Sequence, residues 1–181
     1  MVRYAIPFVL GAALLAGCGG AKQSVSTAAT TAASLAPLAP LAPEAQAAAT
    51  GDIPDNQVFL TLRNAAAGYS MKYPEGWAQL GSGAHVTIRD KNNIVRVVVS
   101  SGAKPSVPSA QQVTISGSPA LKSVYRTQSA PNTVTGKRVT LTVDRYYLWR
   151  NGKRAVVDLG TPVGVDNVDA YRLMIESFRW R

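Results

Sequence analysis

The sequence is short of the residues from which most covalent and catalytic devices are built. Cys18 is its only cysteine, so no disulfide can form within the chain and a folded domain must rest on its apolar core. His85 is its only histidine and stands at the start of a strand-like run; a histidine-based metal site or catalytic triad would lack its usual partners, and a surface or packed residue is the plainer reading. Carboxylates are few, 10 Asp and Glu against 19 Lys and Arg. Asp90 and Asp144 are the pair to consider for acid–base work, but each stands beside a Lys or Arg and reads as a surface ion pair. No Cys-x-x-Cys, His-Glu-x-x-His or nucleophile-elbow motif occurs. Gly81-Ser82-Gly83 lacks the third glycine and the strand–helix setting of a dinucleotide loop, so it reads as a turn. No apolar run reaches the ~20 residues that a bilayer-spanning helix requires. These absences disfavour an enzyme and call for neither cofactor nor metal.

What is there begins with an N-terminus suited to export. Arg3 supplies a positive charge, residues 5–15 form a short apolar run, and Ala16 and Gly17 are small, so residues 1–17 read as a secretory signal. Leu15-Ala16-Gly17-Cys18 resembles the lipobox of bacterial lipoproteins. By that resemblance a lipid is attached to the Cys18 sulfur, palmitate being such an acyl group. The same resemblance implies that the signal is removed before Cys18 and that the protein is held at the exported face of the cell membrane or outer membrane. Residues 18–54 are mostly Ala, Ser, Thr, Pro and Gly, with little charge and no aromatic side chain, and such a stretch cannot bury enough surface to offset its ordering entropy. Leu35-Ala36-Pro37 recurs at residues 38–40 and 41–43, which favours an extended spacer. Charged and aromatic residues then begin, and residues 55–181 have the size of one ordinary domain.

Within that domain, Tyr69, Met71 and Tyr73 alternate with Ser70 and Lys72, the period of a strand with one buried face. Pro74 ends the ladder, Gly76 eases the turn, and Trp77 plugs the end of the core. Residues 58–62 alternate through Val58, Leu60 and Leu62 and read as a first strand or the opening of a helix. Val86 and Ile88, a turn at residues 90–93, and the run 94–100 predict a hairpin. Val95, Val97 and Val99 line one face of its second strand, and Ile94 and Val98 the other, which predicts a central strand covered on both sides. Pro105 and Pro108 predict a loop over residues 103–112, followed by short extended pieces at 113–116 and 120–127 and a polar loop at 128–136. Residues 138–149 predict the longest strand. Val139, Leu141 and Val143 share a face there, yet Tyr146 and Leu148 continue in the opposite phase; a bulge near Asp144-Arg145, or burial on both faces, accounts for the shift. Asn151-Gly152 is the strongest hairpin signal and leads to residues 153–159. Asp166 as N-cap, Asp169 in the first turn, and a stripe of Val168, Tyr171, Ile175 and Phe178 predict a closing helix, with Arg179 and Arg181 near its end.

A strand ending in Tyr-Pro-x-Gly-Trp, then Val-x-Ile-x-Asp, a valine-rich strand, a Tyr-Tyr strand, a turn and a closing segment with Ser177-Phe178-Arg179 together resemble the PsbP/Mog-type family over residues 69–180. The resemblance implies an α+β fold, an antiparallel sheet flanked by helices in an α/β/α sandwich. It also implies a mostly non-enzymatic role, the members being photosystem II extrinsic subunits, a Ran-binding nuclear protein and bacterial lipoproteins. The sequence departs from the family between Ala103 and Pro119, where prolines and β-like residues replace a helix.

Charge carries the remaining functional weight. Residues 53–181 hold 17 Lys and Arg against 8 Asp and Glu, while Arg3, Lys22, Glu44 and Asp52 cancel, so the formal +9 lies on the domain. Arg145, Arg150, Lys153 and Arg154, with Tyr147 and Trp149 interleaved, are the candidate partner-binding residues. Outside a membrane the partners for such a patch are lipid head groups, wall polymers or acidic protein faces, not nucleic acid; the plainer alternative is that basic charge keeps the domain soluble. The expectation is a membrane-anchored, non-catalytic binding or scaffolding module in the cell envelope. Two alternatives stand beside it. One is a carrier of a lipid or other hydrophobic molecule, with a pocket between sheet and helix lined by Tyr73, Trp77 and Tyr171. The other, by family analogy, is a photosystem II-type assembly factor.

Overall fold

The computed structural model describes residues 50–132 and 134–181. Cys18, the signal and residues 18–49 of the tether lie outside the described residues. The strands are β1 (Phe59–Asn64), β2 (Tyr69–Pro74), β3 (Ala78–Ser82), β4 (His85–Asp90), β5 (Asn93–Ser101), β6 (Gln111–Ile115), β7 (Ser118–Gln128), β8 (Thr140–Arg150) and β9 (Lys153–Pro162). Helix α1 (Val168–Glu176) and a two-residue strand β10 (Arg179–Trp180) close the chain. One antiparallel sheet runs in the order β3-β4-β5-β9-β8-β7-β6; a smaller one, β1-β2-β10, has β2 at its centre.

The strand around Tyr69 forms as expected, but its alternation is incomplete: Ser70, read as part of the open face, is buried at 4% exposure, between β1 and β10. Tyr69 and Met71 are fully buried, Tyr73 is half-buried and Lys72 is exposed. Trp77 joins the core just past the turn. Phe178 stacks on Tyr69 at 5.4 Å between ring centroids, and Trp180 meets Phe178 edge-on at 5.2 Å. One apolar cluster joins Leu62, Tyr69 and Met71 of the small sheet to Met174 and Ile175 of α1 and to Val86, Ile88, Val95, Val97, Val157 and Leu159 of the large sheet. The small sheet and α1 therefore cover one face of the large sheet.

That arrangement corrects the expected α/β/α sandwich. Besides the single helical residue Thr50, the described residues hold one helix, α1, nine residues long, and the domain is sheet-rich. The second helical layer is missing where Pro105 and Pro108 break residues 103–110 into a loop before β6, since proline supplies no helical donor. Strand β5 is interior in the sheet, but one face alone is sealed: Val95, Val97 and Val99 are buried, Ile94 and Val98 half-buried, and Arg96 exposed. The closing helix also differs in detail. Val168 is 62% exposed and Met174 takes the expected place in the buried stripe. Arg179 is not helical but pairs in β10 with Ser70, and Phe178 lies beyond the cap. The N-cap is Asn167 instead of Asp166, whose carboxylate accepts the Val168 N–H at 3.2 Å.

The phase shift in β8 has no bulge behind it. Ten consecutive pairs, Leu141↔Pro162 to Arg150↔Lys153, keep one register with β9, and the pairing with β7 is equally regular. Tyr146 and Leu148 enter the main core, whereas Leu141 and Val143 are buried on the opposite face and lie outside that cluster. Burial on both faces is the cause.

The last residues of the stretch read as tether are held by the domain. Gly51 is buried and Ile53 is 8% exposed within the core. The Ile53 N–H donates to Asn167 Oδ1 at 2.8 Å, and Asn167 Nδ2 donates to Thr161 Oγ1 at 2.8 Å and Asn93 Oδ1 at 3.1 Å. Asn93 Nδ2 in turn donates to the Gly51 carbonyl. Asn167, 3% exposed, thus exchanges its capping role for an internal knot. Replacing Asn167 with Ala orphans these groups and should remove about 2 kcal/mol of stability. The measurement is a lower urea midpoint with unchanged slope, together with faster proteolysis near residues 50–53.

Tyr171 donates its hydroxyl to the Gly160 carbonyl at 2.7 Å, and burial holds its phenol above the ordinary value of 10.0. A raised native pKa contributes stability that is whole below the unfolded value and is lost as pH climbs past it. Tyr171→Phe should therefore lose about 1 kcal/mol near neutral pH, for the missing hydrogen bond. The same variant should lose less stability than the parent when urea midpoints are compared above pH 10.

Candidate functional site

Strand alternation sorts the candidate residues before any contact is considered. On the face turned away from the main core, Arg145 lies opposite Asp158, Tyr147 opposite Val156, and Trp149 opposite Arg154. Arg96 and Val98 of β5 join this face beside Asp158 and Val156, and Leu121 and Tyr125 of β7 join it beside Tyr147 and Val143. Four of the six expected partner-binding residues, Arg145, Tyr147, Trp149 and Arg154, are brought together here. Arg150 and Lys153 are not: they flank the Asn151-Gly152 turn in the opposite alternation phase. Lys153 Nζ lies 3.1 Å from where a Cβ on Gly68 would stand, on the small-sheet side. Asn151 and Gly152 both take positive φ, 48° and 73°, as a tight two-residue hairpin demands.

Arg145 is not a free cation. Its Nε and Nη2 donate to the two oxygens of Asp158 at 2.6 and 2.8 Å, and Nη2 also donates to the Tyr125 hydroxyl at 3.1 Å. The guanidinium lies 4.9 Å from the Tyr125 ring centroid. Asp158 is 5% exposed, and its hydrogen bonds hold the Arg145 pKa above the ordinary value. A bidentate pair of this kind fixes β8 against β9 and removes Arg145 from the charge offered to a partner. Arg96, across the strand from the same carboxylate, is exposed and in no ion pair among the described residues.

Toward the hairpin end, Trp149 is half-buried, with Lys104 Nζ 5.7 Å from its ring centroid. Sequence reasoning missed Lys104 because it sits in a proline-containing loop with no period to place it. Arg154 fits beside Gly102, where a Cβ would come within 3.6 Å of its Cζ. The pocket expected between sheet and helix is otherwise used. Trp77 and Tyr171 are members of the core and Tyr73 packs against it. His85 is exposed at the start of β4. Asp144 pairs with Lys122 at 2.7 Å and Asp90 stands 3.9 Å from Lys91. Among the described residues no three His, Cys, Asp or Glu side chains converge, and no helix is long and apolar enough to cross a membrane.

The fold so defined is PsbP-like. No family model matches the sequence, and no curated protein matches it. Among solved structures, the solution structure of cyanobacterial PsbP (CyanoP) from Synechocystis sp. PCC 6803 is similar, with a TM-score of 0.50 and 15% identity over 72% of this chain and 98% of that one. A crystal structure from Bacteroides thetaiotaomicron VPI-5482 has the same TM-score, 0.50, and 15% identity over 67% of this chain. The match spans about half of the Bacteroides chain, 48%. Likeness at this identity speaks for the fold alone.

Removing one partner of the Arg145–Asp158 pair strands the other. Arg145→Ala should lower stability by about 3 kcal/mol, whereas the apolar double variant Arg145→Met/Asp158→Leu should recover most of that loss. Urea unfolding of the three proteins checks both statements.

Proposed function

We propose that this chain is a membrane-anchored lipoprotein whose domain is a non-catalytic docking module for an anionic partner in the cell envelope. Lipid on Cys18 would hold it at the membrane, and residues 18–49 would set its distance from the surface. The observation that carries the reading is surplus basic charge. Among the described residues ion pairs engage four Lys and Arg: Lys91, Lys122, Arg145 and Arg172. Lys104 and Arg154 on the outer face, beside Trp149 and Tyr147, and Arg150 and Lys153 in the opposite phase flank the β8–β9 hairpin end, none of them in an ion pair among the described residues. A PsbP-like fold is consistent with an assembly-type module of this kind.

The test leaves Arg145 in place, because its loss acts on stability and not on free charge. Lys104→Gln, Arg150→Gln, Lys153→Gln and Arg154→Gln, combined, should weaken retention on phosphatidylglycerol vesicles at least about tenfold, since each basic residue near an anionic surface contributes about 1 kcal/mol. Parent retention should fall as salt rises, and the variant should respond less. Equal retention of the two proteins at low salt rules the electrostatic docking out. Anchoring is checked separately by the mass of the Cys18 peptide and by release of Cys18→Ser protein from membranes.

A further inference from the structure

The outer face of the large sheet holds a second feature, away from the hairpin end. Between the β4–β5 turn and the end of β7 with the loop after it lies a groove of about 490 Å³. Its floor is apolar. Gly160 has no side chain, and a Cβ there would lie 2.8 Å from Ile94 Cγ2, 3.4 Å from Val143 Cγ2 and 3.6 Å from Leu141 Cδ1, so these three side chains meet over it. Ile94, Leu141 and Val143 all line the groove, one wall of which is Thr127 to Pro131.

The opposite wall carries Arg89, Lys91 and Arg96 together with one carboxylate, Asp90, which stands 3.9 Å from Lys91. Arg89 pairs across the strand with Ile94, and Arg96 lies two residues further along β5 on the same face, so the two are diagonal neighbours. Both line the groove, both are exposed, and neither forms an ion pair among the described residues. Asp158, buried at the groove's edge opposite Arg96, is already in a bidentate pair with Arg145. A volume of this size, an apolar floor and two arginines on one wall are the ingredients of a small-ligand site, as opposed to a flat contact patch. Guanidinium groups favour carboxylate and phosphate oxygens.

We propose that this groove binds a small amphipathic anion, an organic molecule with one carboxylate or phosphate head held by Arg89 and Arg96 and an apolar body laid over Ile94, Leu141 and Val143. The site is separate from the hairpin cluster and does not depend on its role.

The test uses the full chain carrying Cys18→Ser, so that no acyl group competes, titrated with decanoate and with the uncharged decanol. Saturable decanoate binding that shifts the methyl resonances of Ile94, Leu141 and Val143 is expected. Arg89→Gln/Arg96→Gln should weaken it at least tenfold, leaving decanol binding unchanged, and Thr127→Trp, which fills the groove from its far wall, should abolish it. Neither substituted arginine is in an ion pair, so the double variant should keep the parent unfolding midpoint. Protein altered at Lys104, Arg150, Lys153 and Arg154 should bind decanoate as the parent does, which separates this site from vesicle docking. Dihexanoyl phosphatidic acid, titrated alongside, separates the two sources: tighter binding than decanoate assigns a lipid-derived ligand, weaker binding a free acid. Failure of both anions to bind saturably, shifts confined to other residues, or equal affinity of parent and arginine variant would overturn the proposal.

Discussion

An unbroken strand cannot turn its side chains over, and that constraint governs this domain. Strands β8 and β9 hold one register for ten consecutive pairs, so each residue's face is decided by parity alone. The half nearer the Asn151-Gly152 turn gives Tyr146, Leu148, Ala155 and Val157 to the main core. The half nearer Thr140 buries Leu141 and Val143 on the other side. Between them, on the outer face, Arg145 and Asp158 stand opposite each other. A polar pair there had to be satisfied internally, and the bidentate geometry with Tyr125 in support does so. The outer face consequently divides into an apolar-floored groove on one side of the pair and an aromatic, basic hairpin end on the other.

Much of this was legible from residue order. The strand around Tyr69, the hairpin through residues 90–93 and the Asn151-Gly152 turn rest on local signals that tertiary context has no reason to override: alternation, residues tolerant of positive φ, and proline as a stop. The parts that were not legible share a physical cause. Every residue of β3 is exposed, so no burial period marks Ala78 to Ser82, and only its pairing with β4 makes it a strand. Val168 has the spacing of a buried residue but precedes the point where α1 meets the core. Phe178 has the helical spacing and Arg179 the expected place near the helix end, yet both leave the helix, Phe178 to stack on Tyr69 and Arg179 to pair with Ser70. The missing second helical layer was foreshadowed by Pro105 and Pro108, which the family resemblance alone would have overridden.

The candidate residues show the same division. Sequence proximity gathered Arg145, Tyr147, Trp149, Arg150, Lys153 and Arg154 into one cluster, but a hairpin places neighbours in sequence on opposite faces. Parity, applied to the Asn151-Gly152 turn, already separates Arg150 and Lys153 from the other four. What parity cannot show is that Arg145 is neutralised by a partner, or that Lys104 arrives from a loop. Both depend on side chains meeting across strands whose pairing the sequence does not state.

Without a disulfide, the junction between residues 50–53 and the sheet must be held by other means. Here the junction is closed by polar groups in place of covalent ones: Asn167 and Asn93 hold the backbone of Gly51 and Ile53, and Ile53 is itself a core residue. Freeing residues 51–53 from the sheet must therefore break buried hydrogen bonds first. The same economy explains where a ligand can enter. Tyr73, Trp77 and Tyr171 are committed to joining the small sheet and α1 to the large one, and emptying that layer would uncouple the two sheets. The outer face carries no such duty, since no second sheet or helix among the described residues rests on it. Binding there leaves the core untouched, and a groove with two uncommitted arginines is free to be occupied or empty without a change of fold.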